Sequence, residues 1–455
     1  MTLRSKFRQI VAKLAEDIRT GRLKPGDRLP THRQLASEHG LSLGTATRVF
    51  AELDAMGLTV GEVGRGTFVR MNADARAVEF ALSSPSQGLV DFSRNHLVLP
   101  EQEAIFARAV QETISDGDCD VLEYRKNAGA EYDRRAVWKW LNAERDAKLP
   151  GHEGLTICCG GQHALMLALL ACCHPGQIVA VEPYTYPLVR LVCELLRLEV
   201  VEVEGDAQGI CPESLDRLFQ KTPIRALFCM PNIQNPTSIT MPLERRKEIA
   251  AVLRKRKVFA VEDDAYGFLL ENPPTSLSEL APEQVFYTRT LSKSWAPGLR
   301  VCYLLAPTKM ASHVDKAQRA SVWMSTPLMG SVATRLIENG QYETVVEAKR
   351  REVFKRQAIV RRVFDGMKVI TDPRSMHVVL PLLPTVRTAW VIEALAEAQV
   401  LASPIGQFAA DQNSGKTPAG IRLCIGAPRN RRTMEAALQR IRLIIKELQP
   451  KSDRL

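Results

Sequence analysis

Between residues 178 and 307, short apolar runs alternate with helical ones: "IVAVEP", "LVRLVCELLRL", "EVVEVE", "RALFCMP", "RRKEIAAVLRKR", "VFAVEDDAY", "VFYTRTLSK" and "VCYLLAP". Parallel strands cannot be joined by a hairpin and need a crossover, usually a helix. The alternation therefore predicts a layered α/β domain with a mainly parallel central sheet. Ligands of such sheets collect at the carboxyl ends of the strands. The chemically unusual residues of this chain stand at those ends.

In chain order, "CCGGQHALMLALL" places Gly160, Gly161 and Gln162 just before a helix, where backbone amides can approach an anion at the positive end of the helix dipole. An ordinary glycine turn is the alternative. "EPYTYP" ends a strand with Tyr184 and Tyr186, either able to stack on a planar ring. "MPNIQNPT" presents the Asn235 amide beside a proline. "VFAVEDDAY" delivers two carboxylates, Asp263 and Asp264; one is expected as a solvated loop acid or helix cap, the other held inward against a cation. In "TRTLSKSWAPGLR", Lys293 sits among Thr288, Thr290, Ser292 and Ser294, with Arg300 seven residues on. A lysine used covalently must lose its proton near neutral pH, which takes desolvation or a nearby positive charge. A phosphate takes a fixed fork of donors. Anion loop, stacking ring, amide, carboxylate, lysine and arginine are together the parts that hold pyridoxal 5′-phosphate, with the lysine joined to its aldehyde as a Schiff base.

The chain has 455 residues, enough for two or three domains. No apolar run reaches the roughly 18 to 20 residues of a membrane span. The opening "MTLRSKFRQIVAKLAEDIRTG" lacks the continuous apolar segment of a signal peptide, so cytoplasm is the expected compartment. Ten cysteines include no CxxC and no histidine at ligand spacing, so neither a metal site nor a disulfide framework is expected.

The net charge of +10 is unevenly spread: residues 1–70 carry 12 Lys/Arg against 7 Asp/Glu, and the other 385 carry 49 against 44. A basic N-terminal module suits a polyanion; a solvated basic face is the alternative. Within it, Phe7, Ile10, Val11, Leu14 and Ile18 share one helical face, and Gly21, Pro25 and Gly26 end that helix. Thr31 to Gln34 has capping-box spacing ahead of a short helix that stops at Gly40. Ser42 then caps a longer helix, with Ala46, Val49, Phe50 and Leu53 inward and Gly44, Thr45, Thr47 and Arg48 outward. That pair of helices is a helix-turn-helix. "LTVGEVGRGTFV" follows as a two-stranded wing with Arg65 at its tip, placed to enter a minor groove.

The stretch "LKPGDRLPTHRQLASEHGLSLGTATRVFAELDAMGLTVGEVGRGTFV" resembles the winged helix of the GntR family of bacterial transcription regulators, with Arg33, Ser42 and Thr45 among the matching positions. The resemblance implies double-stranded operator DNA as partner, contacted by Arg33, Ser42, Thr45, Thr47, Arg48 and Arg65. In that family the residue after the capping serine is commonly Arg; here it is Leu43. Residues 1–70 are thus expected as the DNA-binding domain, 71–90 as a linker and 91–450 as the α/β domain with a smaller α+β subdomain.

Residues from about 90 to 447 resemble the fold-type I aminotransferases. The resemblance implies Lys293 as the Schiff-base lysine and Thr290, Ser292 and Arg300 as phosphate ligands. It implies Asp263 as partner of the pyridine nitrogen, and Tyr266 and Asn235 as partners of the ring hydroxyl. Gly160, Gly161 and Gln162 correspond to the phosphate loop and Tyr186 to the stacking aromatic. Tyr124 corresponds to the tyrosine that reaches the neighbouring subunit's phosphate, and Arg422 to the arginine that clamps a substrate α-carboxylate. Two positions depart from the pattern: Ser238 where glycine is usual, and GGQH as the pre-helix loop. Joined to the winged helix, this body resembles the MocR-type regulators. That resemblance implies a homodimeric transcription factor that senses an amine or amino acid. The rivals are an aminotransferase with an appended DNA-binding module and a vestigial pocket on a dimer scaffold.

Overall fold

The computed structural model describes residues 3–19, 22–23, 26–55, 58–62, 66–69, 88–116, 121–143, 149, 151–411 and 419–448. The described residues fall into two compact units, 3–69 and 88–448. Most of the stretch expected as a linker, and the C-terminal "KSDRL", lie outside the described residues. Val90 and Asp91, however, pair in parallel with Val400 and Leu401 and so belong to the second unit.

In the first unit, α1 (Leu3–Arg19), α2 (His32–His39) and α3 (Leu43–Ala55) precede a hairpin of β1 (Thr59–Glu62) and β2 (Gly66–Val69). The capping box forms as expected: Gln34 N donates to Thr31 Oγ1 at 3.2 Å and Thr31 N donates to Gln34 Oε1 at 2.8 Å. Gly40 then closes α2 in the left-handed conformation (φ 59°), which a side chain disfavours. Ile10, Val11, Leu35, Ala46, Val49, Phe50 and Leu53 bury together, as their helical spacing required. The wing tip with Arg65 lies outside the described residues.

The second unit is built on seven strands: β3 (Leu155–Cys158), β4 (Ile178–Val181), β5 (Glu199–Glu202), β6 (Ile224–Cys229), β7 (Phe259–Asp263), β8 (Val285–Thr290) and β9 (Cys302–Leu305). Their order is β3-β9-β8-β7-β6-β4-β5, and every pairing is parallel except the two made by β9. Both faces are covered. In β6, Ala226 and Phe228 enter one apolar cluster while Leu227 and Cys229 enter another, and β7 divides Val261 and Ala260 in the same way. Burial on both faces explains why these strands read as continuous apolar runs. Three helices bear on the site: α4 (Gly161–Cys172), the single turn α5 (Leu291–Ser294) and the long α6 (Gln341–Val363). A smaller antiparallel sheet, β10 (His377–Pro381), β11 (Ser403–Pro404) and β12 (Gly420–Cys424), has order β10-β12-β11 and a separate core with Val378, Leu380, Ile421 and Leu423.

Candidate functional site

Strands β7 and β8 run parallel with Asp263 opposite Thr288, so they deliver their ends side by side. Thr288 Oγ1 donates weakly to Asp263 Oδ1 at 3.4 Å. Burial, with the neighbouring Asp264 charge, pushes the Asp263 carboxyl up to about 7, while Lys293 pulls it down. Three residues past the end of β8, the turn α5 carries Lys293. Burial lowers its ammonium to about 8, the Cys424 and Asp263 charges act against this, and Arg422 and Arg300 lower it further. Lys293, Asp263, Arg300 and Arg422 therefore share one electrostatic neighbourhood. The Tyr186 phenol joins them, pushed up by burial and by Asp263.

Of the two acids, Asp264 is the one held inward against a cation. It is 3% exposed, accepts from Arg289 Nη1 at 2.7 Å, Tyr287 Oη at 2.6 Å and Asn232 Nδ2 at 2.8 Å, and also takes Gly267 N at 3.0 Å. With its lone pairs occupied and a guanidinium alongside, it is a structural anchor. The adjacent Asp263 is hydrogen-bonded by Thr288 and by the Ala265 backbone but by no cation, and it retains capacity for a cationic partner.

At the N-terminus of α4, Gly160 adopts φ +90°, and a Cβ there would collide with the Arg300 guanidinium. Arg300 Nη2 donates to Cys159 O at 3.2 Å. The Gly161 backbone lies against Thr290, whose Oγ1 accepts from Ser292 N at 3.3 Å and contacts Ser292 Oγ at 3.2 Å. Gln162 is exposed in the first turn. The departing GGQH sequence has a local reason: His163 Nδ1 accepts from Cys159 N at 3.1 Å, and its Nε2 meets Ser321 Oγ at 3.0 Å, which fixes the turn. The first turn of α4 holds no acid, and among the described residues Arg300 forms no ion pair. Helix amides, two hydroxyls and a guanidinium without a counter-charge form a cradle suited to a phosphate.

On the other side, Arg422 is 5% exposed. Its Nη1 donates to Asn235 Oδ1 at 3.1 Å and its Nη2 to Ser403 Oγ at 3.2 Å and to Ser93 O, with the guanidinium 4.6 Å from the Phe408 ring centroid. Its Nε has no hydrogen-bond partner, and among the described residues no carboxylate pairs with it. A buried cation without an anion is costly, and such a position suits a carboxylate. Ser238 holds φ +61°, the backbone state for which glycine is usual, while its Oγ donates to Ser375 Oγ at 2.9 Å.

Sequence reasoning missed Asn95, His377, Glu182 and Lys349. Asn95 Nδ2 donates to Tyr266 Oη at 2.7 Å and lies 3.0 Å from His377 Nδ1. His377 Nε2 lies 3.1 Å from Gln234 O, an acceptor only, so Nε2 carries the proton and Nδ1 accepts. Tyr266 thus receives a hydrogen bond and keeps its own proton to donate. Burial pushes His377 down to about 3. Glu182, at the end of β4, accepts from Met230 N at 3.1 Å and Gln234 Nε2 at 3.3 Å, and burial raises it to about 8. It gave the same signal as Asp263, an acid closing an apolar run; Asn95 and His377 gave none.

Tyr124 is not brought into this pocket within the chain. It is 82% exposed and meets Trp323 edge-on at 6.3 Å. In the first unit Arg33 and Arg48 are exposed, and Arg48 lies 5.2 Å from the Phe7 ring centroid. Ser42 caps α3 through Thr45 N at 3.2 Å and its Oγ meets Thr45 Oγ1 at 2.8 Å, while Thr47 Oγ1 donates to Leu43 O at 3.0 Å. Among the described residues no group of His, Cys, Asp and Glu could hold a metal, and no helix is long and apolar enough to cross a membrane.

Residues 87–441 match the family of class I and II aminotransferases, and residues 6–69 match the GntR family of bacterial regulatory proteins. The chain is 27% identical over 450 residues to YdeF of Bacillus subtilis, an uncharacterized HTH-type transcriptional regulator, covering 97% of this chain and 95% of that one. It is 28% identical over 385 residues to the HTH-type transcriptional regulator TauR of Rhodobacter capsulatus, covering 76% of each. Among solved structures, a kynurenine aminotransferase of Pyrococcus horikoshii, in complex with PMP, superposes with a TM-score of 0.74 at 21% identity, covering 83% of this chain and 95% of that chain. The α-aminoadipate aminotransferase LysN of Thermus thermophilus, complexed with N-(5′-phosphopyridoxyl)-L-leucine, gives 0.72 at 23%, covering 82% and 97%. The chain therefore belongs to the class I and II aminotransferase family and carries a GntR-family DNA-binding module ahead of it, the pairing found in MocR-type transcription regulators.

Proposed function

We propose that this DNA-binding regulator holds pyridoxal 5′-phosphate, the cofactor its family membership implies, and uses it to sense an amine or amino acid. One observation carries the reading: a desolvated Lys293 shares its electrostatic neighbourhood with Asp263 and with two cations that lack an ion-pair partner among the described residues, Arg300 of the Gly160 cradle and the buried Arg422. When bound, the cofactor supplies an aldehyde that amines capture and an electron-withdrawing ring. Lys293 would offer the covalent anchor for that aldehyde. Gly160, Gly161, Gln162, Thr290, Ser292 and Arg300 would hold the phosphate. Asp263 would stabilise a proton on the ring nitrogen, Tyr266 and Asn235 would address the ring hydroxyl, and Tyr186 would stack on the ring. Arg422 orients a carboxylate on the incoming amine. The exposed Tyr124 suits a pocket completed across a homodimer, which would also present two DNA modules to two half-sites. Arg33, Ser42, Thr45, Thr47, Arg48 and Arg65 form the DNA surface, and the compartment is the cytoplasm. The shift in DNA binding is bounded by the effector's difference in affinity between two conformations.

The test is spectroscopic and functional together. Purified protein absorbs in the visible region, Lys293→Ala does not, and amino compounds that change the spectrum also change the footprint on the protein's upstream DNA. A colourless protein that stays colourless with excess coenzyme would sink the reading. A second reading, a working aminotransferase, is favoured by the same lowered Lys293 amine, which can shuttle a proton as well as anchor. Robust turnover of an amino acid with a keto acid, without DNA binding, would select it.

A further inference from the structure

Lys349 is completely buried on α6, and neither the fold nor the proposed chemistry calls for a charge there. Its Nζ donates to Lys293 O at 3.3 Å and to Trp295 O, which also accepts from Gln102 Nε2 at 2.8 Å. No carboxylate joins it among the described residues; its partners are carbonyls at the open end of α5. The last carbonyls of a helix lack intrahelical partners and carry the negative end of its dipole, so a cation there stabilises the turn. The pattern repeats along α6. Arg350 donates to Phe268 O at 2.6 Å and Leu270 O at 3.1 Å, just after Tyr266. Arg356 donates to Ile425 O at 2.7 Å and Pro428 O at 2.8 Å, just after Arg422. The first half of α6 packs into the core of the main sheet through Tyr342, Val345, Val346 and Val353. The second half packs into the smaller core through Ile359, Val360 and Val363.

We propose that Lys349 is a positioning residue for Lys293, fixing the turn that carries it and tying that turn to the helix that joins the two cores. The inference rests on Lys293 being the reactive amine of the site. A change at the amine then reaches α6 directly, through one side chain and two carbonyls. Burial and the Lys293 charge lower Lys349 to about 7, so the two amines resist being charged together. Asp263, Arg300, Arg422, Cys424, His96 and His377 also face the Lys293 amine, and His96 faces Lys349 as well.

The experiment follows acetylation of Lys293 by acetic anhydride in the full chain without added coenzyme, mapped by mass spectrometry from neutral to alkaline pH. Lys349→Met removes donor and charge, and Lys349→Gln keeps a donor without charge. In Lys349→Met the alkaline plateau changes as the turn loosens, while the midpoint, which falls where Lys349 is already mostly neutral, moves little. Lys349→Gln restores the plateau. Wild-type profiles in both variants overturn the proposal. Equal damage in both, with a matching fall in melting temperature, also overturns it and makes Lys349 a packing residue. Because no coenzyme is added, these outcomes are read even if the protein never becomes coloured.

Discussion

In the first unit Arg33 and Arg48 stand exposed on a small helical body, whereas in the second Arg422 is 5% exposed and no described carboxylate accompanies it. The same guanidinium does different work in the two places. On the surface it is screened, each contact is modest, and affinity for a polyanion comes from the sum of many. In the pocket the dielectric is low, one cation meets one anion, and a single deletion is felt in full. The first unit should therefore respond gradually to substitution and to salt, and the second abruptly.

The largest expected effect is complete: Lys293→Ala abolishes the visible absorption while leaving DNA binding without effector intact, checked by spectrum and gel shift. Next, Arg422→Met weakens carboxylate-bearing effectors by about 100-fold, since charged hydrogen bonds are lost from a buried site, while simple amines are little affected; spectral titration reads both. Coenzyme capture by the apo chain should slow about tenfold for each pH unit below about 8, because only the neutral Lys293 amine attacks and acidification protonates it; stopped-flow absorbance gives this profile. On the surface side, Arg48→Ala lowers DNA affinity by roughly tenfold or less and reduces the salt slope by about one, with the spectrum unchanged. The smallest is Thr31→Ala, which removes the α2 cap and costs the first unit about 1 kcal/mol in urea unfolding. A surface variant as abrupt as Arg422→Met, or a pocket variant as mild as Arg48→Ala, would break the contrast.

Legibility followed chain distance. The capping box at Thr31 and Gln34, the inward face of α3 and the parallel sheet were readable because each depends on neighbours within a few residues or on repeated apolar runs. Which of the adjacent carboxylates is held inward against a cation was not legible, because the Asp264 partners Tyr287, Arg289 and Asn232 lie 23 to 32 residues away. Asn95 was invisible for the same reason: its contacts with Tyr266 and His377 span 171 and 282 residues. Lys349, in "EAKRREVFKRQ", reads as one more charge on a basic helix, and only packing reveals it as the buried one.

By itself the amino-acid order determined the two building blocks, the sequence of strands and helices, and which residue types arrive at the strand ends, because propensity, capping and periodicity are local. The tertiary structure alone decided which of two identical acids is saturated, which lysine is buried against a turn, and which arginine is left without an anion. Those outcomes depend on desolvation and on partners from distant segments, and both exist only once the chain has closed around them.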